Sequence, residues 1–521
     1  MWVRVEKYIV AWREIRNITH DFINAPHLRK AFALGFVLYA LALFALIRGD
    51  IYYTDDRIHC VNDGVWNYSR YLATFILNVL ATFGKKALDL SPLPQIFGIC
   101  LVIISSMILV YLIRGKFDFI GVVASLPLGL SPHFLHNLSY KFDSLTMSMA
   151  LFFAIMPFLF QSNRRVFCVV SVVSLILMFM SYQAANATYI ILSLYFAFSA
   201  FFIKGRSFKE SVLFLGICAV NLIIASLIYG LTINDSNMGI GDAYASHEII
   251  ALDSRFFIGI WANLSTYATT IFNDFKQTPY IWLILLNCCL FVANIALRTN
   301  LPKIALILGV TLFLTLGFAL SFGLYLVLQK PIFTPRAFYG FNAFVAVIAI
   351  ANVSFMLAKS LPAHATKYIL SAPPHLPKIL HYISCVVAVI MAYFLISFAN
   401  IYGNALKKQD EYILFKAELL MHDLSNKVPP KNAMIIIEGS IGYSKATQRF
   451  IDKYSDISRL LKEYKNTNWI VWALEHLNAP YSFNDSETCN FIRERFGSEV
   501  IFKNAYHTIQ KAKFCYIVTI K

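Results

Sequence analysis

Charge is the scarcest commodity in this chain. Lys, Arg, Asp and Glu make up 14% of the 521 residues, against about a quarter in soluble domains. That deficit, set beside 58% hydrophobic and 15% aromatic residues and a mean hydropathy of +0.61, excludes an ordinary water-soluble fold and predicts a polytopic membrane protein. No internal repeat is visible and few charges lie within the apolar runs, which argues against a transporter built on broken helices and midplane ionisable groups. The start carries no cleavable leader pattern. Residues 1–30 are amphipathic and charged, and the first apolar run is long enough to remain in a bilayer as an anchor.

What the chain has instead is a series of about 11 apolar runs near spanning length. They cover residues 31–47, 93–113, 119–133, 145–160, 166–181, 188–203, 212–231, 280–297, 304–328, 338–357 and 379–400, the third to fifth being short. The net charge of +16 does not indicate nucleic acid, because the basic residues fall in small groups between these runs. Arg4, Lys7, Arg13, Arg16, Arg29 and Lys30 mark the N-terminal segment as cytoplasmic. Counted two crossings at a time, Arg114/Lys116, Arg164/Arg165, Lys204/Arg206/Lys209, Arg298/Lys303 and Lys359/Lys367/Lys378 fall on the same side. The opposite loops are acidic, aromatic or nearly uncharged, and the longest cover about 50–91 and 232–279. Within them, 66–83 and 256–275 have the mixed pattern of helices lying in the headgroup plane or buried under a cap.

After Asn400 the composition changes. A helix over 404–426, strand-like runs at 433–438, 469–473 and 515–520, and intervening polar segments predict a small C-terminal α/β domain over 401–521. It holds no Gly-rich phosphate loop and no paired metal-ligand spacing, so it reads as a lid or structural cap. Six of the nine cysteines lie in apolar runs, where they act as small hydrophobes. Cys489 and Cys515 can pair if the tail faces an oxidising compartment, leaving Cys60 free.

Thr54-Asp55-Asp56-Arg57 follows the first run directly. Two carboxylates and a guanidinium at a membrane edge either serve a site that needs charge or keep the helix from sliding inward. The other outer loops add His133, His136, Asn137, Tyr140, Lys141 and Asp143, then Tyr182, Gln183 and Asn186, then Lys330 and Arg336. A carboxylate there can take a proton from a sugar hydroxyl while a cation stabilises a departing phosphate. Arg suits the bidentate geometry of phosphate. His133 and His136, three apart without fixed carboxylate partners, are weak evidence for a metal. No cofactor is indicated, and a divalent metal is left open without support.

Several pieces in order resemble the GtrII-type glucosyltransferases of bacterial O-antigen modification, the phage-type, serotype-converting family. They are Thr54-Asp55-Asp56-Arg57, Asp89-Leu90-Ser91-Pro92-Leu93-Pro94-Gln95, the run from Asn137 to Ser144, Ser181-Tyr182-Gln183, Pro335-Arg336, and the run from Tyr402 to Asp410. They extend from about residue 50 to 410. The resemblance implies a GT-C class glycosyltransferase of the bacterial inner membrane, with its N-terminus cytoplasmic and its C-terminal domain periplasmic. It would move glucose from undecaprenyl-phosphate-glucose, a polyprenyl-phosphate donor, to a lipid-linked O-antigen sugar, altering lipopolysaccharide at the periplasmic face. Its partners would be those two substrates, membrane lipids, and the donor-synthesising transferase and flippase of the same pathway. It implies no nucleotide-sugar site, and no DxD stands in the tail or the basic loops. Asp55 and Asp56 match the first-loop acid and are the expected catalytic residues, one or the other as general base. Arg57, Tyr140, Lys141, Asp143, Tyr182, Gln183, Lys330 and Arg336 are the expected substrate-binding residues. A flippase of lipid-linked saccharides or an O-antigen polymerase is the alternative.

Overall fold

The computed structural model describes residues 2–54, 56–59, 70–81, 83, 88–233, 248–297, 302–355, 375–429, 433–461, 468–483 and 486–521. Asp55, Cys60, Asp63, Arg298, Lys359, Lys367 and the first part of the expected helix over 66–83 lie outside those residues. The described residues of each predicted apolar run are largely helical. Eight belong to helices long and apolar enough to cross a membrane, from Leu28–Gly49 to Leu376–Lys427. The expected runs at 145–160 and 338–357 appear as shorter apolar helices, Ser144–Phe160 and Tyr339–Ser354. Side chains such as Phe44, Ile223, Trp282 and Leu308 point outward uncovered by protein, as lipid-facing residues do.

The third run departs from a simple span. Phe119–Leu130 and Pro132–Ser139 are bent against each other by 65°. Pro127 and Pro132 begin new short helices here, because proline offers no backbone N–H and clashes with the preceding turn. The break buries His133, His136 and Asn137 within the protein. Elsewhere the starts are capped by side chains: Asp118 accepts from Gly121 N, Asn163 from Arg165 N and Val166 N, and Ser207 from Glu210 N. Between spans, Asn294 donates to Asn352 Oδ1 at 3.2 Å and Asn352 donates to the Asn287 carbonyl at 2.9 Å. Such side-chain amides hold helices together where the hydrophobic effect does not distinguish neighbour from lipid.

The helix expected over 404–426 is not separate. It continues the last span without a break as Leu376–Lys427, 52 residues or about 78 Å long. No proline interrupts it after its first turn, and Gly403 sits where it packs on Leu28–Gly49: a Cβ there would come 2.6 Å from Leu46 N. The upper part of this helix is therefore at once a continuation of the membrane part and the floor of the C-terminal domain. Ile413, Ala417, Leu420 and Leu424 enter the core of that domain together with Ile435, Ile437, Ile470 and Val518.

The domain itself carries a four-stranded sheet of order β1-β4-β3-β2, with β1 Met434–Gly439, β2 Glu499–Lys503, β3 His507–Ala512 and β4 Cys515–Ile520. β1 and β4 are parallel, which requires a crossover, and the helices Lys445–Lys453, Asn468–His476 and Ser486–Phe496 supply it. The other neighbours are antiparallel. The expected strand at 469–473 is a helix instead, Asn468–His476. Trp469, Ile470, Ala473 and Leu474 are all buried, the spacing of one helical face, and a five-residue apolar window is too short to separate the two periods. Cys489 is bonded to Cys515, tying the helix Ser486–Phe496 to β4 with 5.6 Å between Cα atoms. We expect that pair to resist alkylation in the folded, unreduced protein and to react only after reduction, as read by mass spectrometry of the labelled chain.

Candidate functional site

The loop after the first span begins at Asp50, which closes Leu28–Gly49 in the left-handed region at φ 50°. Six residues on, the chain turns into the short helix Asp56–His59. Asp56 is fully buried. Its Oδ2 accepts from the backbone N–H of Tyr53 at 2.9 Å and of Lys141 at 3.1 Å, and its Oδ1 lies 3.5 Å from Phe142 N. One carboxylate thus fastens the first loop to the second. Asp55, its neighbour, is outside the described residues.

That fastening brings both Arg57 and Lys141 against the Tyr52 ring. Lys141 is buried, and its Nζ lies 2.6 Å from Asp50 Oδ1, 3.0 Å from Asp89 Oδ2 and 3.7 Å from the centre of the Tyr52 ring. The Arg57 guanidinium lies 5.4 Å from the same ring, and its Nη2 donates to Asp410 Oδ1 at 2.5 Å. The Tyr52 hydroxyl donates to Asp89 Oδ2 at 2.7 Å. Burial pushes the Asp89 carboxyl up, but Tyr52, the Ser91 N–H and Lys141 together hold it below the usual carboxylate range. Asp410 comes from the long helix, ten residues beyond Asn400. From the C-terminal domain, the His476 ring lies 4.9 Å from Tyr52.

A second group adjoins the first. The Tyr53 ring meets Tyr140 edge-on at 5.1 Å and His136 at 5.3 Å. Arg336 Nη1 donates to the Tyr140 hydroxyl at 2.6 Å. Arg70 lies over Tyr182 at 4.8 Å, Tyr182 packs on Tyr339, and the Tyr339 hydroxyl donates to Asn137 Oδ1 at 3.3 Å. Asp56, Arg57, Tyr140, Lys141, Tyr182 and Arg336 are therefore gathered at one end of the helices. Asp143 is buried just before Ser144–Ile155, and Gln183 donates to the Tyr229 hydroxyl at 3.0 Å. Lys330 is exposed, and among the described residues no hydrogen bond or ion pair joins it to the others.

His133 takes a carboxylate partner from far along the chain. Its Nε2 lies 2.7 Å from Asp274 Oδ2, and Arg459 of the C-terminal domain donates Nε to Asp274 Oδ1 at 2.6 Å and Nη2 to Asp274 Oδ2. Arg459 Nη1 also donates to the Phe333 carbonyl at 2.7 Å. The Tyr53 hydroxyl donates to the Leu460 carbonyl at 2.5 Å. The segment Ser455–Leu460 thus latches the C-terminal domain to the membrane part beside the site. Among the described residues no group of three or more His, Cys, Asp or Glu side chains is arranged to hold a metal ion.

Asp50, Tyr52, Asp89, Asp410, His476, Asp274 and Arg459 were not among the residues expected at the site. Asp89 and Asp410 do stand in the pieces that carry the resemblance, and each ends up beside a cation that those pieces supplied. No local pattern points to the others.

Fold and site together define a polytopic membrane protein with a charge-rich site at one end of its helices, roofed by a small α/β domain. The chain belongs to the glucosyl transferase GtrII family, whose profile matches residues 43–347. It is similar to an uncharacterized 55.3 kDa protein in the gtrB 5' region of Salmonella phage P22, 28% identical over 244 residues, which are 46% of this chain and 50% of the phage protein. The chain thus spans about half the length of the curated relative it matches. No solved structure matches it.

Proposed function

We propose that this chain is a glucosyltransferase of O-antigen modification that takes its glucosyl group from a polyprenyl-phosphate donor at the periplasmic face of the inner membrane. The observation that carries the reading is the pair of buried cations, Arg57 and Lys141, set about Tyr52 where two outer loops meet the long helix. A lipid-linked donor needs an apolar surround for its chain and fixed cations for its phosphate, and a site at the ends of spanning helices offers both. In the proposed reaction the acceptor hydroxyl oxygen attacks the anomeric carbon, the bond from that carbon to the phosphate oxygen breaks, and polyprenyl phosphate leaves with the electron pair. Asp55 takes the hydroxyl proton. Asp56, its oxygens already turned to backbone N–H groups, holds the loop that presents Asp55. Arg57, Lys141 and Arg336 receive the phosphate. Tyr140, Asp143, Tyr182 and Gln183 frame the sugars, and Lys330 steers anionic headgroups toward the mouth.

The basic loops support a cytoplasmic N-terminus with the site on the opposite side, and the Cys489–Cys515 pair suits an oxidising compartment. The test is the mass of the O-antigen repeat in cells that make undecaprenyl-phosphate-glucose, with and without this chain. A gain of one hexose is expected. An unchanged repeat mass with altered amount or chain length would instead indicate a flippase or polymerase.

A further inference from the structure

Among the described residues, the C-terminal domain brings the titratable ring of His476 against Tyr52, and the proposed reaction gives it no role. It is half-buried at the last residue of Asn468–His476, and neither ring nitrogen has a hydrogen-bond partner among the described residues. Beside it, Arg57 Nη1 is buried without a partner among the described residues, while Nη2 is taken by Asp410. A buried guanidinium with a vacant donor points to an oxygen-bearing ligand.

The charges around Tyr52 say what that ligand requires. Arg57 and Lys141 face Asp50, Asp89 and Asp410, so the described cluster has no positive surplus with which to hold an anion. Its three acids are not held alike. Asp89 is fixed by Tyr52, Ser91 N and Lys141, and Asp410 by Arg57 in a largely buried pair. The Asp50 side chain is 70% exposed, and an exposed partner is exchanged at little cost. A phosphate that displaces Asp50 from Lys141 leaves two cations against two acids. One further proton makes the site cationic.

We propose that His476 supplies that charge: the C-terminal domain completes a phosphate-binding site, in which the His476 imidazolium closes with Arg57 and Lys141 on a phosphate group seated beside Tyr52. This deepens the glucosyltransferase reading and rests on it for the source of the phosphate. Without a ligand, burial and the nearby Arg57 hold the imidazole pKa down against Asp410, with Lys141 and Asp89 as weaker opposing neighbours. An anion entering between them reverses that balance, so binding takes up a proton. In the transfer step the phosphate gains charge as its bond to the sugar carbon breaks, and the imidazolium donates a hydrogen bond to the oxygen that receives the electron pair.

The experiment is equilibrium binding of sulfate to the purified full-length protein in detergent, followed across the imidazole range. Sulfate does not titrate there, so any pH dependence belongs to the protein. Wild type is expected to bind more tightly as pH falls through the imidazole range. His476→Gln should lose that dependence and bind about tenfold more weakly at the acidic end. Asp50→Asn, which removes the competing carboxylate, should bind more tightly than wild type, a gain that a merely structural disturbance would not produce. Sulfate affinity in His476→Gln equal to wild type at every pH would overturn the proposal while leaving the donor reading intact, provided Arg57→Gln and Lys141→Gln still lose binding. If those two also bind as wild type does, both readings fall. Sulfate binding that behaves as expected but is not displaced by undecaprenyl phosphate in micelles supports the anion site and overturns the donor. Should His476→Gln not fold, the absence of pH dependence in wild type alone decides against the proposal.

Discussion

Arg459→Ala is expected to unlatch the C-terminal domain from the membrane part and lower stability by about 3 kcal/mol. The substitution leaves Asp274 buried, its side chain 2% exposed, with His133 as its remaining partner and a charge that the interior cannot solvate. Removing one member of a buried pair costs more than the pair contributes, because the survivor keeps its desolvation penalty. The figure sits at the low end for such losses, since the Arg459 side chain is itself 32% exposed. Limited proteolysis of the full chain in detergent should cut faster near residues 455–461 in the variant, with a lower unfolding temperature. The double variant Arg459→Met/Asp274→Leu should recover much of the loss, since it removes the stranded charge. Unchanged proteolysis in Arg459→Ala would show that the latch carries no weight.

The same latch has a pH sign. Burial pushes the Asp274 carboxyl up, but His133 and Arg459 outweigh it, and the group is held below the usual carboxylate range. A depressed folded pKa contributes stability that is fully present above the unfolded value of about 4 and is lost as pH falls through the folded value. Docking of the domain should therefore hold at neutral pH and loosen only on strong acidification.

How much of this was legible beforehand depends on the range of the interaction. Apolar runs are local, and the expected boundary at 93–113 meets the helix Leu93–Arg114 while 256–275 meets Phe256–Phe275. The bend at Pro132 and the unbroken helix through Gly403 were not legible, because each depends on what packs against it. Leu46 lies against Gly403, and nothing near Gly403 in the sequence announces that. The site divides in the same way. Arg57 and Lys141 stand out as charges beside apolar runs, yet Arg57 meets Asp410 across 353 positions. His476 meets Tyr52 only because the domain folds back over the loop. A charge at a membrane edge can be found by its cost. Its partner can be found only by the fold.

Asp55→Asn and Asp56→Asn should both abolish most transfer, for different reasons, and the difference is the sharpest test of the proposed chemistry. Loss of a general base reduces turnover by roughly 10²–10⁴-fold, so Asp55→Asn should lose the added hexose while still folding and still binding undecaprenyl phosphate. Asp56 accepts from the N–H groups of Tyr53 and Lys141, and the Phe142 N–H lies 3.5 Å from its other oxygen. An asparagine there keeps one oxygen and turns an NH₂ toward another N–H, leaving a buried donor unsatisfied at a cost of about 1–3 kcal/mol. Asp56→Asn should therefore lower the unfolding temperature and weaken phosphate binding together with turnover, because Lys141 is carried on the strip of backbone that Asp56 holds. Repeat mass in cells, unfolding temperature and undecaprenyl phosphate binding, measured on both variants, separate the two roles. If Asp56→Asn were to lose turnover with stability and binding intact while Asp55→Asn remained active, the roles of the two carboxylates would be exchanged, and the buried one would have to move to reach the acceptor hydroxyl.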